Sequence, residues 1–177
     1  MLPQAELFEA MRYSLLAGGK RLRPIFVLDF CRMCCGNWKV ALPFAAAVEM
    51  IHTYSLIHDD LPCMDDDDYR RGKPSNHKVH GEAMALLAGD GLLTAAFERI
   101  ATWSKAGLFD YEVAVNAISE LSVYAGSRGM IGGQVIDIQN ENNKDIKLET
   151  LMLLDNLKTG ALIEAACSLG CIVAKAD

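Results

Sequence analysis

Residues 40–60 constrain this chain more than any other stretch. Val40, Ala45, Ala46, Ala47, Val48, Met50, Ile51, Leu56 and Ile57 leave almost no polar stripe along that segment. A helix that is apolar nearly all round has no face suited to water, so it belongs inside a bundle of other helices. The segment then meets Pro62, which lacks an amide donor and clashes with the preceding turn, so the helix should end or bend there. Acids crowd that end: Asp59, Asp60, Asp65, Asp66, Asp67 and Asp68 fall within ten residues.

The remainder also reads as helix, because apolar residues recur at spacings of three and four and β-branched alternation is scarce. Leu7, Met11, Leu15 and Leu16 form a stripe that Gly18-Gly19 stops. A second helix should open at Pro24 and reach about Cys35. Further helices are expected over 81–104, 111–139 and 148–174, with a long polar loop over 61–80. Loops of that length inside a compact domain are usually functional. The expected class is all-α.

Composition narrows the partners. With 51% apolar and 23% charged residues the chain can build a core, and disorder is excluded. Lys plus Arg number 17 against 23 Asp plus Glu, a net charge of −6, which argues against nucleic acid or an anionic membrane as main partner. Charged or polar groups interrupt each apolar run before the roughly 18 residues of a membrane span, and no secretory leader is expected at Met1. The cysteines at 31, 34, 35, 63, 167 and 171 lack the paired spacing of a secreted disulfide framework. They lie in apolar segments and are read as thiols in a reducing cytosol, with Cys31, Cys34 and Cys35 as small buried hydrophobes. Zinc ligation by Cys31, Cys34 and Cys35 is the weaker reading, since no His or fourth Cys lies nearby.

The run Asp59-Asp60-Leu61-Pro62-Cys63-Met64-Asp65 is the strongest chemical signal. Like charges a turn apart are destabilising, so a cation is expected among them. Hard oxygen ligands suit Mg²⁺, which keeps several waters and bridges one or two carboxylates to phosphate oxygens. A solvated acidic turn is the plain alternative, and the EF-hand spacing is missing. Two basic loops accompany the acids: Lys20-Arg21-Leu22-Arg23 between the first helices, and Arg70-Arg71-Gly72-Lys73 just after the aspartates. They could hold an anionic substrate. Equally, Arg70 and Arg71 could pair with the neighbouring aspartates. His52 precedes Asp59 by seven residues, about two turns, and so shares nearly the same helix face. A histidine placed so is more often a satisfied core residue.

The stretch from Glu49-Met50-Ile51-His52 through Asp65 to Arg70-Arg71-Gly72-Lys73-Pro74 resembles the first aspartate-rich motif of the trans-prenyltransferases. Within them it is most similar to the short-chain polyprenyl diphosphate synthases of the farnesyl type. Gly18-Gly19-Lys20-Arg21-Leu22-Arg23-Pro24, Leu87-Ala88-Gly89-Asp90, Gly132-Gly133-Gln134-Val135-Ile136-Asp137 and Lys158-Thr159-Gly160-Ala161 match that family in the same order. The resemblance implies an isoprenoid-synthase helical bundle around a central cavity. It also implies Mg²⁺ as cofactor, isopentenyl diphosphate and an allylic diphosphate (dimethylallyl or geranyl) as substrates, and a homodimer.

Position by position, the family pattern makes Asp59 and Asp65 metal ligands, with Asp60 in the same cluster. It sets Arg70 and Lys158 on the allylic diphosphate as catalytic cations. Gly19, Lys20, Arg23, His52 and Arg71 match positions that hold isopentenyl diphosphate, and Gln134, Lys158 and Thr159 match the allylic pocket. Tyr54 and Ser55 fall where chain length is set. Tyr54 precedes Asp59 by five residues, about 7.5 Å along a helix, where an aromatic could close the floor of the pocket. It could also be an ordinary core aromatic. With the Pro62-Cys63 insertion, Tyr54 matches the farnesyl-forming pattern, and geranylgeranyl diphosphate synthesis is the alternative. A terpene cyclase is disfavoured, because a single diphosphate substrate would leave Lys20, Arg23 and His52 unused.

Family members carry a second aspartate-rich motif. Here the acids after Gln139, namely Glu141, Asp145, Glu149, Asp155, Glu164 and Asp177, are isolated. Residues 1–177 are therefore expected to be the N-terminal and central part of one synthase domain, inactive alone, with the bundle truncated. A catalytically silent homologous subunit stays open as the other reading.

Overall fold

Residues 3–176 are described by the computed structural model, and they form helices joined by short connections. In chain order these are α1 (Ala5–Leu15), α2 (Leu22–Cys35), α3 (Leu42–Asp59), α4 (Asn76–His80), α5 (Glu82–Lys105), α6 (Tyr111–Ala125), α7 (Met130–Asn140), α8 (Leu148–Asp155) and α9 (Ala161–Ala174). A 3₁₀ turn, Trp38–Ala41, leads into α3, and a π-helical turn, Asn156–Gly160, joins α8 to α9. The all-α class holds.

The chain divides into two compact units. One takes residues up to Arg21 together with Glu49–Arg99, the other takes Leu22–Val48 and everything from Ile100, so the boundary falls inside α3 and again inside α5. In the first unit the core is built from Ala10, Ile51, Ile57, Ala85, Ala88, Leu92 and Ala96. Gly89 sets how near α5 comes to α3. A Cβ there would lie 2.1 Å from His58 Nε2, so the glycine makes room for the imidazole, which contacts the Leu86 carbonyl at 3.0 Å. That contact anchors α3 one residue before Asp59. Asn76 ties α4 to α1, its Nδ2 donating to the Ala10 carbonyl and to Ser14 Oγ, both at 2.8 Å.

In the second unit α2 and α6 pack on α9. The core there comprises Val27, Phe44, Val48, Ile100, Leu121, Leu162 and Leu169. Phe44 meets Phe109 with ring centroids 4.6 Å apart.

Several expectations are corrected. The polar stretch 61–80 is not all loop: β1 (Tyr69–Arg70) and β2 (Lys73–Pro74) pair antiparallel, and α4 follows. Arg71 and Gly72 close that hairpin with φ of 54° and 76°, the paired positive values of a primed two-residue turn. An Arg at such a position is a poor sequence signal. The helix expected over 111–139 breaks at residues 126–129, between α6 and α7. The three cysteines of α2 are not uniformly buried: Cys31 is, whereas Cys34 and Cys35 are exposed because α2 turns its last residues to solvent; Cys63, in the turn after α3, is also exposed.

Two helical stretches, Trp38–Asp59 and Leu148–Ala174, are long and apolar enough to cross a membrane by length and composition, contrary to expectation. A core helix passes the same test. Phe44, Val48, Ile51 and Ile57 in the first stretch, and Leu162, Ala165, Ala166 and Leu169 in the second, are packed inside the protein.

Candidate active site

The end of α3 sorts its aspartates by partner. Asp60 turns inward, its side chain only 3% exposed, and takes two hydrogen bonds from Arg70, Nε at 2.8 Å and Nη2 at 2.5 Å. Arg70 Nη2 also donates to Asp67 at 2.6 Å. Asp68 pairs with Lys78 at 2.7 Å. Asp65 and Asp66 are exposed and make no ion pair among the described residues, and Asp59 stands half-buried at the last turn of the helix. The Asp65 amide donates to the Asp59 carbonyl at 2.8 Å, so the turn over Pro62 brings these two residues back together.

Burial pushes the Asp60 carboxyl above its ordinary value, against the downward pull of the Arg70 hydrogen bond. The Arg70 side chain is 33% exposed, so the cost of burial falls mainly on the acid. Sequence expectation put Asp60 in a metal cluster and Arg70 on a substrate, with pairing of Arg70 to neighbouring aspartates left open; the structure pairs Arg70 with Asp60 and Asp67. Asp60 and Asp67 thereby hold the guanidinium in place beside the acidic turn.

Across the same unit, Arg71 also finds an internal acid. Its Nη2 donates to Glu49 Oε1 at 3.2 Å, and Arg21 Nη1 donates to the same oxygen. Glu49, 7% exposed, thus gathers two guanidiniums one turn before His52 on α3. Arg71 Nη1 is buried without a hydrogen-bond partner. Gly19 lets the guanidinium in, since a Cβ at 19 would lie 3.1 Å from Arg71 Cζ and Nε. Lys20 next to it is exposed. Sequence reading placed Arg21 in a basic loop but missed its pairing with Glu49, and the signal was there: Glu49 is the lone acid within the apolar stretch before Asp59.

Tyr54 is 5% exposed, its hydroxyl has no hydrogen-bond partner, and its ring meets His58 edge-on at 5.7 Å. Burial first, and the Asp59 charge second, push its phenol up to about 12. Ser55 hydrogen-bonds back to the His52 carbonyl at 2.9 Å.

The other expected positions lie in the second unit. Arg23 sits in the first turn of α2. Gln134 on α7 keeps a buried Nε2 without a partner, Thr159 is exposed, and Lys158 pairs with Asp137. That pair follows from a close backbone contact: a Cβ on Gly133 would lie 2.2 Å from the Lys158 amide nitrogen and 2.6 Å from its Cα. The π-helical turn carries Lys158 and Thr159, and such turns recur at functional sites. No sequence pattern announced it.

As to metal, no three His, Cys, Asp or Glu side chains converge among the described residues. Two hard carboxylates, Asp59 and Asp65, are nonetheless what Mg²⁺ uses when substrate phosphates supply the remaining ligands.

An all-α chain with an acidic helix end, basic loops and a buried aromatic a turn behind the acids defines a class, and comparison with known proteins agrees. The polyprenyl synthetase family model matches residues 4–177, and the chain belongs to that family. It is 52% identical over 172 residues to "Geranylgeranyl pyrophosphate synthase, chloroplastic" of Catharanthus roseus, covering 97% of this chain and 48% of that one. It is likewise 52% identical over 170 residues to the "Heterodimeric geranylgeranyl pyrophosphate synthase large subunit 1, chloroplastic" of Arabidopsis thaliana, covering 95% and 46%. Among solved structures, an FPP/GFPP synthase from Zymomonas mobilis superposes with a TM-score of 0.92 at 42% identity, over 99% of this chain and 63% of that one. The chain spans about half the length of the curated relatives it matches.

Proposed function

We propose that this chain belongs to a short-chain polyprenyl diphosphate synthase, joining isopentenyl diphosphate head to tail to an allylic diphosphate and giving chiefly farnesyl diphosphate. The observation that carries it is the sorting of the aspartates: Asp60, Asp67 and Asp68 are neutralised internally, while Asp65 is exposed and returned to Asp59. Asp59 and Asp65 would hold Mg²⁺, which when bound supplies concentrated positive charge for a diphosphate leaving group.

The chain's own groups account for the rest. Arg70, fixed by Asp60 and Asp67, stands beside the acidic turn and adds charge toward the allylic diphosphate, as does Lys158. Arg71, with a buried N–H still to satisfy, holds the second diphosphate together with Lys20, Arg23, His52 and the backbone at Gly19. Gln134 and Thr159 line the allylic side. Heterolysis breaks the allylic C–O bond and diphosphate leaves with the electron pair. The alkene of isopentenyl diphosphate then forms the new C–C bond, and a proton passes to the departed diphosphate. Charges in a dry cleft act more strongly than in water: two unit charges at 4 Å interact by about 1 kcal/mol in water and about 4 kcal/mol at an effective dielectric of 20.

Tyr54, buried five residues before Asp59, closes the floor against a growing apolar tail. The similarity to geranylgeranyl pyrophosphate synthases favours one other product, geranylgeranyl diphosphate. Chromatography of products from the full-length enzyme, given isopentenyl and geranyl diphosphates, separates them. A fifteen-carbon product that lengthens in Tyr54→Ala supports the proposal, and a twenty-carbon product from the unaltered enzyme selects the alternative. The 177 residues alone, with one acidic cluster, are expected to turn over negligibly. A homodimer is part of the proposal, and sedimentation tests it; the name of the Arabidopsis relative makes a heteromer the other outcome.

A further inference from the structure

Thiols of the second unit converge where α2 meets α9. Gly170 brings the two backbones together: a Cβ there would lie 2.6 Å from the Val27 carbonyl oxygen, 2.7 Å from Phe30 Cβ and 2.9 Å from the Cys31 amide nitrogen. The next residue, Cys171, meets the last turn of α2, where its Sγ lies 4.0 Å from that of Cys34. A second sulfur pair, Cys31 and Cys35, lies 3.7 Å apart within α2. The pairs are not equivalent. Cys31 is fully buried, and burial first, with its Cys35 contact next, pushes its thiol up to about 12, so it is inert. Cys34 is exposed, and a reagent in solution reaches it.

We propose that Cys34 and Cys171 form a redox modification site, an oxidisable dithiol that a low-molecular-weight disulfide such as glutathione disulfide converts into a covalent tie between α2 and α9. The prenyl-transfer reading uses neither residue. A disulfide bond is about 2.05 Å long, so the sulfurs must approach by about 2 Å, within the reach of side-chain rotation over a fixed helix contact. In the first step the Cys34 thiolate attacks one sulfur of glutathione disulfide, and one glutathione thiolate leaves. In the second, the Cys171 thiolate attacks the Cys34 sulfur and displaces the other. Two protein thiols lose two protons and two electrons, and one disulfide oxidant becomes two thiols. Burial raises the Cys171 thiol, which lowers its thiolate fraction for the second displacement at neutral pH. The residues are 137 apart in sequence, and closing so long a loop restricts the unfolded chain strongly. The tie would join the helix that carries Arg23 to the helix that follows Lys158 and Thr159.

The test incubates the purified chain with rising ratios of oxidised to reduced glutathione, blocks remaining thiols with N-ethylmaleimide and maps peptides without reduction. A Cys34–Cys171 peptide is expected, absent in Cys34→Ser and in Cys171→Ser and retained in Cys63→Ser. The oxidised chain should melt roughly 5–10 °C higher than the reduced one, a shift that dithiothreitol reverses. Glutathione adducts alone, a Cys31–Cys35 or Cys34–Cys35 link in place of the expected one, or equal melting of oxidised Cys34→Ser and oxidised unaltered chain would overturn it.

Discussion

At the end of α3 six aspartates fall within ten residues, and the first unit disperses their charge through the hairpin and α4: Arg70 takes Asp60 and Asp67, and Lys78 takes Asp68. In the second unit, at α7, one Lys meets one Asp, and the pair exists because Gly133 lets the helix touch the backbone of the π-helical turn. In the first region electrostatics sets the geometry and the backbone is a loop that follows. In the second, steric contact sets it and the charges follow. Each should therefore break in its own way, the first by removal of a charge and the second by addition of a carbon atom.

The largest effect is expected from Gly133→Ala. A methyl group 2.2 Å from a backbone nitrogen cannot be relieved by rotating a side chain, so α7 and the turn must separate. Thermal melting should show a loss of about 3 kcal/mol, a fall of roughly 6–12 °C. A melt unchanged by this substitution would mean that the contact is looser than described.

Next comes Asp60→Ala, which leaves Arg70 partly buried with only Asp67. Breaking a buried pair costs about 3–5 kcal/mol, and the one-third exposure of Arg70 reduces this to about 2 kcal/mol, measured by urea unfolding. Asp60→Asn should cost less, because the amide still accepts a hydrogen bond.

A smaller effect should follow pH. The folded-state pKa of Asp60 is raised, so on acidification the folded protein takes up this proton before the unfolded chain does. Its contribution to stability is therefore full below the ordinary carboxylate pKa of about 4 and is lost as pH rises through the raised value. The melting temperature of the unaltered protein relative to that of Asp60→Asn should rise as pH falls through the raised value toward the ordinary carboxylate range. A difference that shrinks instead would show that Arg70 outweighs burial. The smallest effect belongs to Lys78→Ala. Its pair with Asp68 is solvent-exposed, and calorimetry should find the melt unmoved.

Much of the architecture was legible locally. The all-round apolar stretch before Asp59 had one stable environment, and Gly18-Gly19 and Pro62 marked where helices stop. The acidic cluster and the two basic loops could be named from spacing alone. What could not be read was which charges cancel each other. Arg70 and Arg71 are neighbours in sequence, yet one turns to Asp60 and the other to Glu49, since Arg70 ends β1 in extended backbone and Arg71 opens the turn at positive φ.

The thiols show the same limit. Spacing along the chain treated six cysteines alike, whereas one is buried, three are exposed, and the pair at 4.0 Å joins residues 137 apart. Sequence by itself determined the all-α class, most of the long helices and their order, the family and the acidic and basic segments, because apolar periodicity and breaker residues act within a few positions. Only the tertiary structure decided the partners of Asp60, Arg71, Lys158 and Cys171. Each depends on two distant backbones meeting at a distance that a glycine, a hairpin or a π-helical turn sets, and no local propensity encodes that distance.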